Sequence, residues 1–231
     1  MRPQVLAVSG MGIEARIASA PGVLTLAGGG DAAGLARGIE AAIANGVTAI
    51  ISFGIAGALD PALLPGTCIV AQTVIDNGVR RAVDTSWSDA IARALGTALR
   101  ADIAGVDRVI ARVEDKHSLF RALGAAALDM ESHTAARLAA AHRLPFAAFR
   151  VVADPAWRAL PACAAVGLRT DGRIDAPRVL GSLLRNPAQL PLIVRAALDA
   201  QTALRALRRG RRLLGSGLGF GDLDKLALDV L

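Results

Sequence analysis

The sequence contains no tyrosine, and only 3% of its 231 residues are aromatic. Its core must therefore be built mainly from alanine, leucine, valine and isoleucine, which fits alanine-rich helices packed on a β-sheet. Cysteine is also scarce: Cys68 and Cys163 lie far apart, without a CxxC motif. They are expected to be buried free thiols in a reducing compartment. The three histidines make no metal-ligand spacing, so neither a metal nor an organic cofactor is expected.

Neither a membrane-spanning run nor a signal peptide is expected. Residues 41–59 carry no charge, but they include Asn45, Gly46 and Gly57. A helix end, a turn, a buried strand and a glycine loop account for this run better than one lipid-facing helix. Glu14 interrupts the first apolar segment, where a signal peptide would not place a carboxylate. We therefore expect a cytoplasmic protein.

Negative charge is nearly absent from one C-terminal segment. The whole chain carries +6, whereas residues 176–213 hold eight arginines against one acid, Asp199, a balance of +7 that leaves about −1 elsewhere. This distribution argues against a nucleic-acid-binding core and predicts a basic helical extension, residues 176–231, with a local anionic partner. Two alternatives are open for residues 176–213. They contact an anionic membrane surface, or they form a helix packed on its own domain or on a second copy.

Apolar runs typical of buried strands alternate with helical patterns. Strands are predicted within residues 4–10, 22–31, 46–57, 66–76 and 145–154, the first three stretches ending in glycine loops, with an extended segment at 107–113. Helices are predicted at 32–45 (capped by Asp31), 87–100, 115–124, 131–142 and 192–212. This alternation predicts an α/β fold whose sheet is covered on both faces.

Four short motifs follow the ends of predicted strands. They are Gly10-Met11-x-x-Glu14, Gly54-Ile55-Ala56-Gly57, Asp129-Met130-Glu131 and Arg150-Val151-Val152-Ala153-Asp154. Ligands of α/β folds bind at the carboxyl ends of strands, so these motifs are expected to form one site.

The order and spacing of these motifs resemble the nucleoside phosphorylase/nucleosidase family, which includes purine nucleoside phosphorylase and methylthioadenosine/S-adenosylhomocysteine nucleosidase. The resemblance covers about residues 4–155, and the wordings EARIA, SFGIAG, DMESH and ADP are most similar to the hopanoid biosynthesis-associated phosphorylases. It implies one nucleoside-phosphorylase-like domain (residues 1–175) with a central mixed β-sheet flanked by helices. It also implies a small-molecule or lipid-linked nucleoside substrate and a homo-oligomer.

Asp154 is the candidate general acid. A carboxyl group at the end of a buried strand is desolvated, which raises its pKa and lets it carry a proton toward neutral pH. In the resembling enzymes the matching Asp serves N7 of the purine. The alternative is a turn in which Asp154 only caps the loop that begins with Pro155.

Glu131 and Met130 are the candidate ribose ligands. A carboxylate accepts two hydrogen bonds and therefore matches a vicinal diol, and a position in the first helical turn is expected to keep Glu131 ionised. The resemblance places Met130 beside the sugar, although Met130 could equally pack in the hydrophobic core without contacting substrate. Asp129 is predicted to cap the helix instead of binding substrate.

Glu14 resembles the carboxylate that activates water in hydrolytic members, and its alternative is a surface acid. Gly54, Ile55, Ala56 and Gly57 form a loop where backbone can approach substrate closely. Relatives commonly have Ser at position 55, and many phosphorylases have Arg at position 52, so a phosphate site of that design is absent or altered. Arg16, Arg150 or the Gly28–Gly30 loop could replace it, and the choice between phosphate and water stays open.

The leading hypothesis is therefore an enzyme that cleaves the N-glycosidic bond of an adenosyl-type nucleoside with a bulky 5′ substituent, such as adenosylhopane. Adenine would leave by phosphorolysis, with inorganic phosphate as co-substrate, or by hydrolysis. One alternative is a methylthioadenosine/S-adenosylhomocysteine nucleosidase. The other is a non-catalytic nucleoside- or lipid-binding module, which Ile55 keeps open.

Overall fold

The computed structural model describes residues 5–161 and 189–220. In this part of the chain the strands are β1 (Val5–Ser9), β2 (Val23–Ala27), β3 (Ala49–Ala58), β4 (Cys68–Asp76), β5 (Val79–Ala82), β6 (Leu99–Gly105), β7 (Ala127–Asp129) and β8 (Phe146–Asp154). The helices are α1 (Gly12–Ala18), α2 (Ala32–Ala44), α3 (Thr85–Leu95), α4 (Val113–Leu123), α5 (Ser132–Ala141) and α6 (Leu190–Leu213).

All eight strands belong to one mixed sheet. The hydrogen-bonded order is β2-β1-β3-β7-β6-β4-β5, and β8 pairs with both β3 and β4. Strands β2, β1, β3 and β8 are parallel, whereas β4 runs antiparallel to β8 and β7 runs antiparallel to β3. Strands β3, β8, β4, β6 and β7 therefore form a closed circuit of pairs. The predicted α/β domain with a central mixed sheet flanked by helices is confirmed.

The sheet is almost entirely aliphatic on both faces, as the sparse aromatic content required. One core cluster includes Leu6, Ile50 and Val152, and the other includes Val5, Ile51 and Val151, so neighbouring residues of one strand face opposite sides. The predicted cap of α2 is present, since the Asp31 carboxylate accepts a hydrogen bond from the Gly34 amide at 2.9 Å.

The segment between residues 87 and 113 differs from the prediction. The predicted helix 87–100 is wrong at its end, because α3 stops at Leu95 and Gly96 takes a positive φ of 71°. Strand β6 begins three residues after Gly96, and the predicted extended segment 107–113 falls after β6 rather than in it. The short antiparallel strand β5 was not predicted.

Cys68 is a half-buried free thiol whose pKa is raised by burial. Cys163 lies outside the described residues, as does the predicted domain limit between residues 175 and 176.

Helix α6 packs on the domain. Ala203 and Leu207 are completely buried in the same core cluster as Phe149 of β8. The Arg211 side chain donates to the Ala18 carbonyl at 3.0 Å, at the end of α1. For residues 190–213 the own-domain alternative is therefore the one observed, and contact with a membrane stays a prediction. Across residues 5–161 and 189–220, none of the helices combines the length and hydrophobicity needed to cross a bilayer.

The packing of α6 predicts different effects for two leucines on this helix. Leu207→Ala removes a fully buried side chain and should lower the free energy of unfolding by about 2–5 kcal/mol. Leu213→Ala removes a side chain that is 49% exposed and should change it by no more than about 0.5 kcal/mol. Urea unfolding of both variants checks this, and equal effects would contradict the observed packing of α6.

Candidate active site

The sheet brings the four sequence motifs to one edge. Strands β1, β3 and β8 are parallel, so their carboxyl ends lie side by side. Strand β7 runs antiparallel alongside the end of β3, with Leu128 opposite Gly57, and this pairing delivers the third motif to the same place. A register shift in the β3–β8 pairing skips Ala153 and sets Asp154 opposite Gly57.

A cavity of about 320 Å³ lies at this edge. The sequence-predicted residues that line it are Glu14, Ile55, Ala56, Gly57, Met130, Glu131 and Asp154. Residues 54–57 belong to strand β3, so the predicted loop is wrong. Gly54 does not line the cavity but lies behind Glu14, where a Cβ would be 2.6 Å from Glu14 Oε1 and 2.8 Å from Arg150 Nη1. Position 54 must therefore lack a side chain for Glu14 and Arg150 to keep their places.

Arg150 is the fully buried centre of the polar cluster under the cavity. Its Nε lies 3.0 Å from the Asp129 carboxylate, and its Nη2 lies 3.4 Å from Glu131 Oε2. It also donates to the Ser52 hydroxyl and, at 3.2 Å, to the Ile55 carbonyl. This guanidinium is enclosed by its carboxylate partners, which disfavours it as a phosphate ligand.

Glu14 is 1% exposed, so the alternative of a surface acid is wrong. Its two carboxylate oxygens accept hydrogen bonds from the Met11 amide at 2.5 Å and the Ile55 amide at 2.6 Å. Burial raises the pKa of Glu14, and the nearby Arg150 and the backbone amides offset only part of that rise. The side chain is thus held rigidly with a carboxyl group that gains a proton more readily than an exposed one.

Asp129 caps α5, as the sequence predicted. Asp129 Oδ1 accepts from the amides of Glu131 at 2.9 Å and Ser132 at 2.7 Å, which are the hydrogen bonds of a helix cap. Burial raises the pKa of Glu131 to about 8, with Asp129 and Glu14 adding to the rise against Arg150. This raised pKa runs against the expectation that the helix terminus keeps Glu131 ionised, because desolvation outweighs the lowering by Arg150.

Asp154 has the raised pKa expected of a buried acid at a strand end. Burial raises its pKa to about 6, and the ammonium of Lys116 limits the rise. Lys116 Nζ donates to Asp154 Oδ2 at 2.6 Å and is itself completely buried. Sequence reasoning missed Lys116, because a lysine in the polar pattern of α4 gives no signal of burial.

The apolar part of the cavity wall was also missed. It includes Val109, Ile110, Leu128, Leu160, Ala196 and Ala200. Two of these residues come from α6, which an Arg158–Asp199 ion pair ties to the loop after β8. The basic C-terminal helix thus forms part of the cavity.

Taken together, the mixed sheet and the buried acids at the ends of β1, β7 and β8 define an α/β protein with a small-molecule cavity at its strand ends. The sequence profile of the phosphorylase superfamily matches residues 2–166, and the chain belongs to this superfamily. Among curated proteins, none matches the chain.

Solved structures with the same fold span nearly the whole chain. Futalosine hydrolase of Helicobacter pylori strain 26695 is 14% identical, with a TM-score of 0.63 over 99% of this chain and 98% of that one. The 5′-methylthioadenosine/S-adenosylhomocysteine nucleosidase of Helicobacter pylori with butyl-thio-DADMe-Immucillin-A is 15% identical, with a TM-score of 0.61 over 91% and 98%. A putative methylthioadenosine nucleosidase from Weissella paramesenteroides is 19% identical, with a TM-score of 0.59 over 90% and 98%.

The raised pKa of Glu131 predicts how stability depends on pH. The folded state holds this proton up to pH about 8, whereas the unfolded chain loses it near the ordinary value of 4.5. Stability should therefore fall as the pH rises through this window, by at most about 1.4 kcal/mol per pH unit for one group. Glu131→Gln, which cannot ionise, should show a shallower fall in urea unfolding between pH 5 and 8.

The matched control is Glu114→Gln, because Glu114 is an exposed acid in the first turn of α4. Between pH 5 and 8, the stability of Glu114→Gln should change with pH as the stability of the wild type does. If the free energies of unfolding of wild type and Glu131→Gln differed by the same amount at every pH from 5 to 8, the raised pKa of Glu131 would be contradicted.

Proposed function

We propose that this protein hydrolyses the N-glycosidic bond of an adenosyl-type nucleoside with a bulky, apolar 5′ substituent and releases adenine. The observation that carries the proposal is Asp154, a buried acid with a pKa of about 6 that shares one cavity with Glu14 and Glu131. This set provides a proton donor, a group for the sugar and a group for the nucleophile. The relatives with solved structures include nucleosidases and a hydrolase, which agrees with the proposal.

Asp154 acts on the leaving base. As the C1′–N9 bond breaks, its electron pair moves into the purine, and the proton of the Asp154 carboxyl passes to N7. A pKa of about 6 means that a substantial fraction of this carboxyl is protonated in weakly acidic solution and still gives up its proton easily.

Glu131 and Met130 hold the ribose. The Glu131 carboxyl lines the cavity beside Arg150 and accepts hydrogen bonds from the 2′ and 3′ hydroxyls. These donors favour the ionised form, so ribose binding lowers the pKa of Glu131 from its raised value in the empty site. Met130 supplies an adaptable apolar surface for the sugar.

Glu14 positions water for attack on C1′. Its carboxylate is fixed by the Met11 and Ile55 amides, and its raised pKa suits a group that must take a proton from water near neutral pH. Water is favoured over phosphate because Glu14, Asp129 and Glu131 provide no positive charge for a phosphate dianion. The cation nearest to them, Arg150, is buried among carboxylates.

The 5′ substituent lies against the apolar wall that Ile110, Leu160, Ala196 and Ala200 help to form. Arg158 and Asp199 also line this side of the cavity but are paired with each other, so the wall favours a hydrocarbon group over the charged amino-acid group of S-adenosylhomocysteine. Adenosylhopane, which the sequence resemblance implies, is one nucleoside of this kind.

Replacement of the proposed acid tests the chemistry. Asp154→Asn cannot donate the proton and should reduce adenine release by about 10²–10⁴-fold, followed by chromatography with 5′-methylthioadenosine and adenosylhopane as substrates. Wild-type release should be the same with and without inorganic phosphate. A requirement for phosphate would replace hydrolysis by phosphorolysis, and no adenine from either nucleoside would favour a non-catalytic binding module.

The apolar wall predicts a selective effect. Ala200→Phe narrows the α6 side of the cavity, so kcat/KM for adenosylhopane should fall by about 10–200-fold while the value for 5′-methylthioadenosine changes little. Ala197→Phe, at an exposed position of the same helix, is the matched control and should leave both values unchanged. If Ala200→Phe lowered kcat/KM equally for both substrates, the 5′ group would not bind against the α6 side of the cavity.

A further inference from the structure

Lys116 is the fully buried cation closest to the proposed acid. It extends from α4 and has an exposed fraction of 0%. Its Nζ donates to Asp154 Oδ2 at 2.6 Å, the Pro155 carbonyl at 3.1 Å and the Arg158 carbonyl at 2.9 Å. An ammonium has three N–H donors, and here each one meets an acceptor. A neutral amine has only two N–H donors, so one of the three oxygens would face the lone pair of the nitrogen. The three contacts therefore fit the charged ammonium of Lys116.

These contacts also fix the loop that follows β8. Two of the three acceptors are backbone carbonyls of residues 155 and 158, and this loop forms the rim of the cavity next to Asp154. Because Lys116 binds Oδ2, the other oxygen of Asp154 is the one left for the base. Lys116 therefore holds the acid in place and occupies one of its two oxygens.

We propose that Lys116 is a positioning residue whose ammonium stabilises the carboxylate that forms on Asp154 as the proton leaves for the purine. This inference rests on the proposed function. In the transfer step the O–H bond of Asp154 breaks and an N–H bond forms at N7, while the electron pair of C1′–N9 enters the base. Lys116 keeps its protons throughout, so the neutral carboxyl beside it becomes one half of an ion pair.

Lys116 stabilises the carboxylate form of Asp154 more than the neutral carboxyl, and this difference is what accelerates the reaction. A cation attracts a carboxylate far more strongly than a neutral carboxyl, and the attraction is stronger between largely buried groups than in water. It therefore grows during proton transfer, whereas a contact made equally before and after would not change the rate. The other charges near Asp154 are Arg158, which acts in the same direction, and Asp199, which opposes it, and these two are paired with each other.

The decisive experiment compares Lys116→Met and Lys116→Arg with wild type. In Lys116→Met the pH above which kcat/KM falls should rise by about one unit or more, because the Asp154 proton is held more tightly. The maximal rate should fall by about 10²–10³-fold. Lys116→Arg keeps the charge and should restore the wild-type pH profile. Arg121→Met, which removes an exposed cation from the same helix, controls for charge and should leave the profile unchanged.

A purely structural role would lower the rate at every pH without moving the profile, and that result would overturn the proposal. A measurement on the unliganded protein separates this failure from failure of the proposed function. Carbon-13 NMR of the Asp154 carboxyl, assigned with Asp154→Asn, should titrate at higher pH in Lys116→Met even if no nucleoside is cleaved. If the titration midpoint of Asp154 were unchanged or lower in Lys116→Met, the proposed role of Lys116 would also be overturned.

If Lys116→Met does not fold, the wild-type protein supplies the test. The nitrogen-15 signal of Lys116 should be that of a three-proton ammonium at neutral pH, and its shift should follow the ionisation of Asp154 with the same midpoint. A neutral amine, or a signal that ignores this ionisation, would contradict the assigned role.

Discussion

The site depends on one buried guanidinium. Glu14, Asp129 and Glu131 surround Arg150 in a place that water barely reaches, and fully ionised they would outnumber it by two charges. Burial of so much like charge is unfavourable, so the pKa values of Glu14 and Glu131 are raised and these acids take up protons more readily than exposed ones. Such a cluster is poised to accept positive charge. Under the proposed chemistry, that charge is the ribosyl cation that forms as the base departs.

The two halves of the site are held by different partners. The sugar and nucleophile side is organised by Arg150 of β8, whereas the acid of the same strand is held by Lys116 of α4. One strand thus supplies a cation to one half and a carboxyl group to the other. The pKa of Asp154 therefore depends on burial, on Lys116 and on the paired charges of Arg158 and Asp199.

The residues at strand ends could be predicted from the sequence because a short polar motif directly after a buried apolar run is typical of a ligand site in an α/β fold. This reasoning placed Glu14, Glu131 and Asp154 at one edge, and the structure brings them to one cavity. Lys116 could not be predicted in the same way, since the sequence of α4 is typical of a solvated helix and a lysine is rarely buried. The cavity wall from α6 was equally hidden, because it lies more than 40 residues beyond Asp154 and depends on tertiary packing alone. Strand β6 was missed because only residues 96–98 separate it from the helical pattern of α3.

One residue of β8 is skipped in its pairing with β3. The number of residues in β8 therefore matters as much as their chemical identities. Side chains alternate between the two faces of a strand, and the irregularity at Ala153 changes this alternation just before Asp154. A deletion or insertion of one residue between Arg150 and Asp154 would keep every functional side chain in the sequence but turn one of them away from the cavity. In comparisons among related chains, the number of residues between these two positions is therefore as informative as their identities.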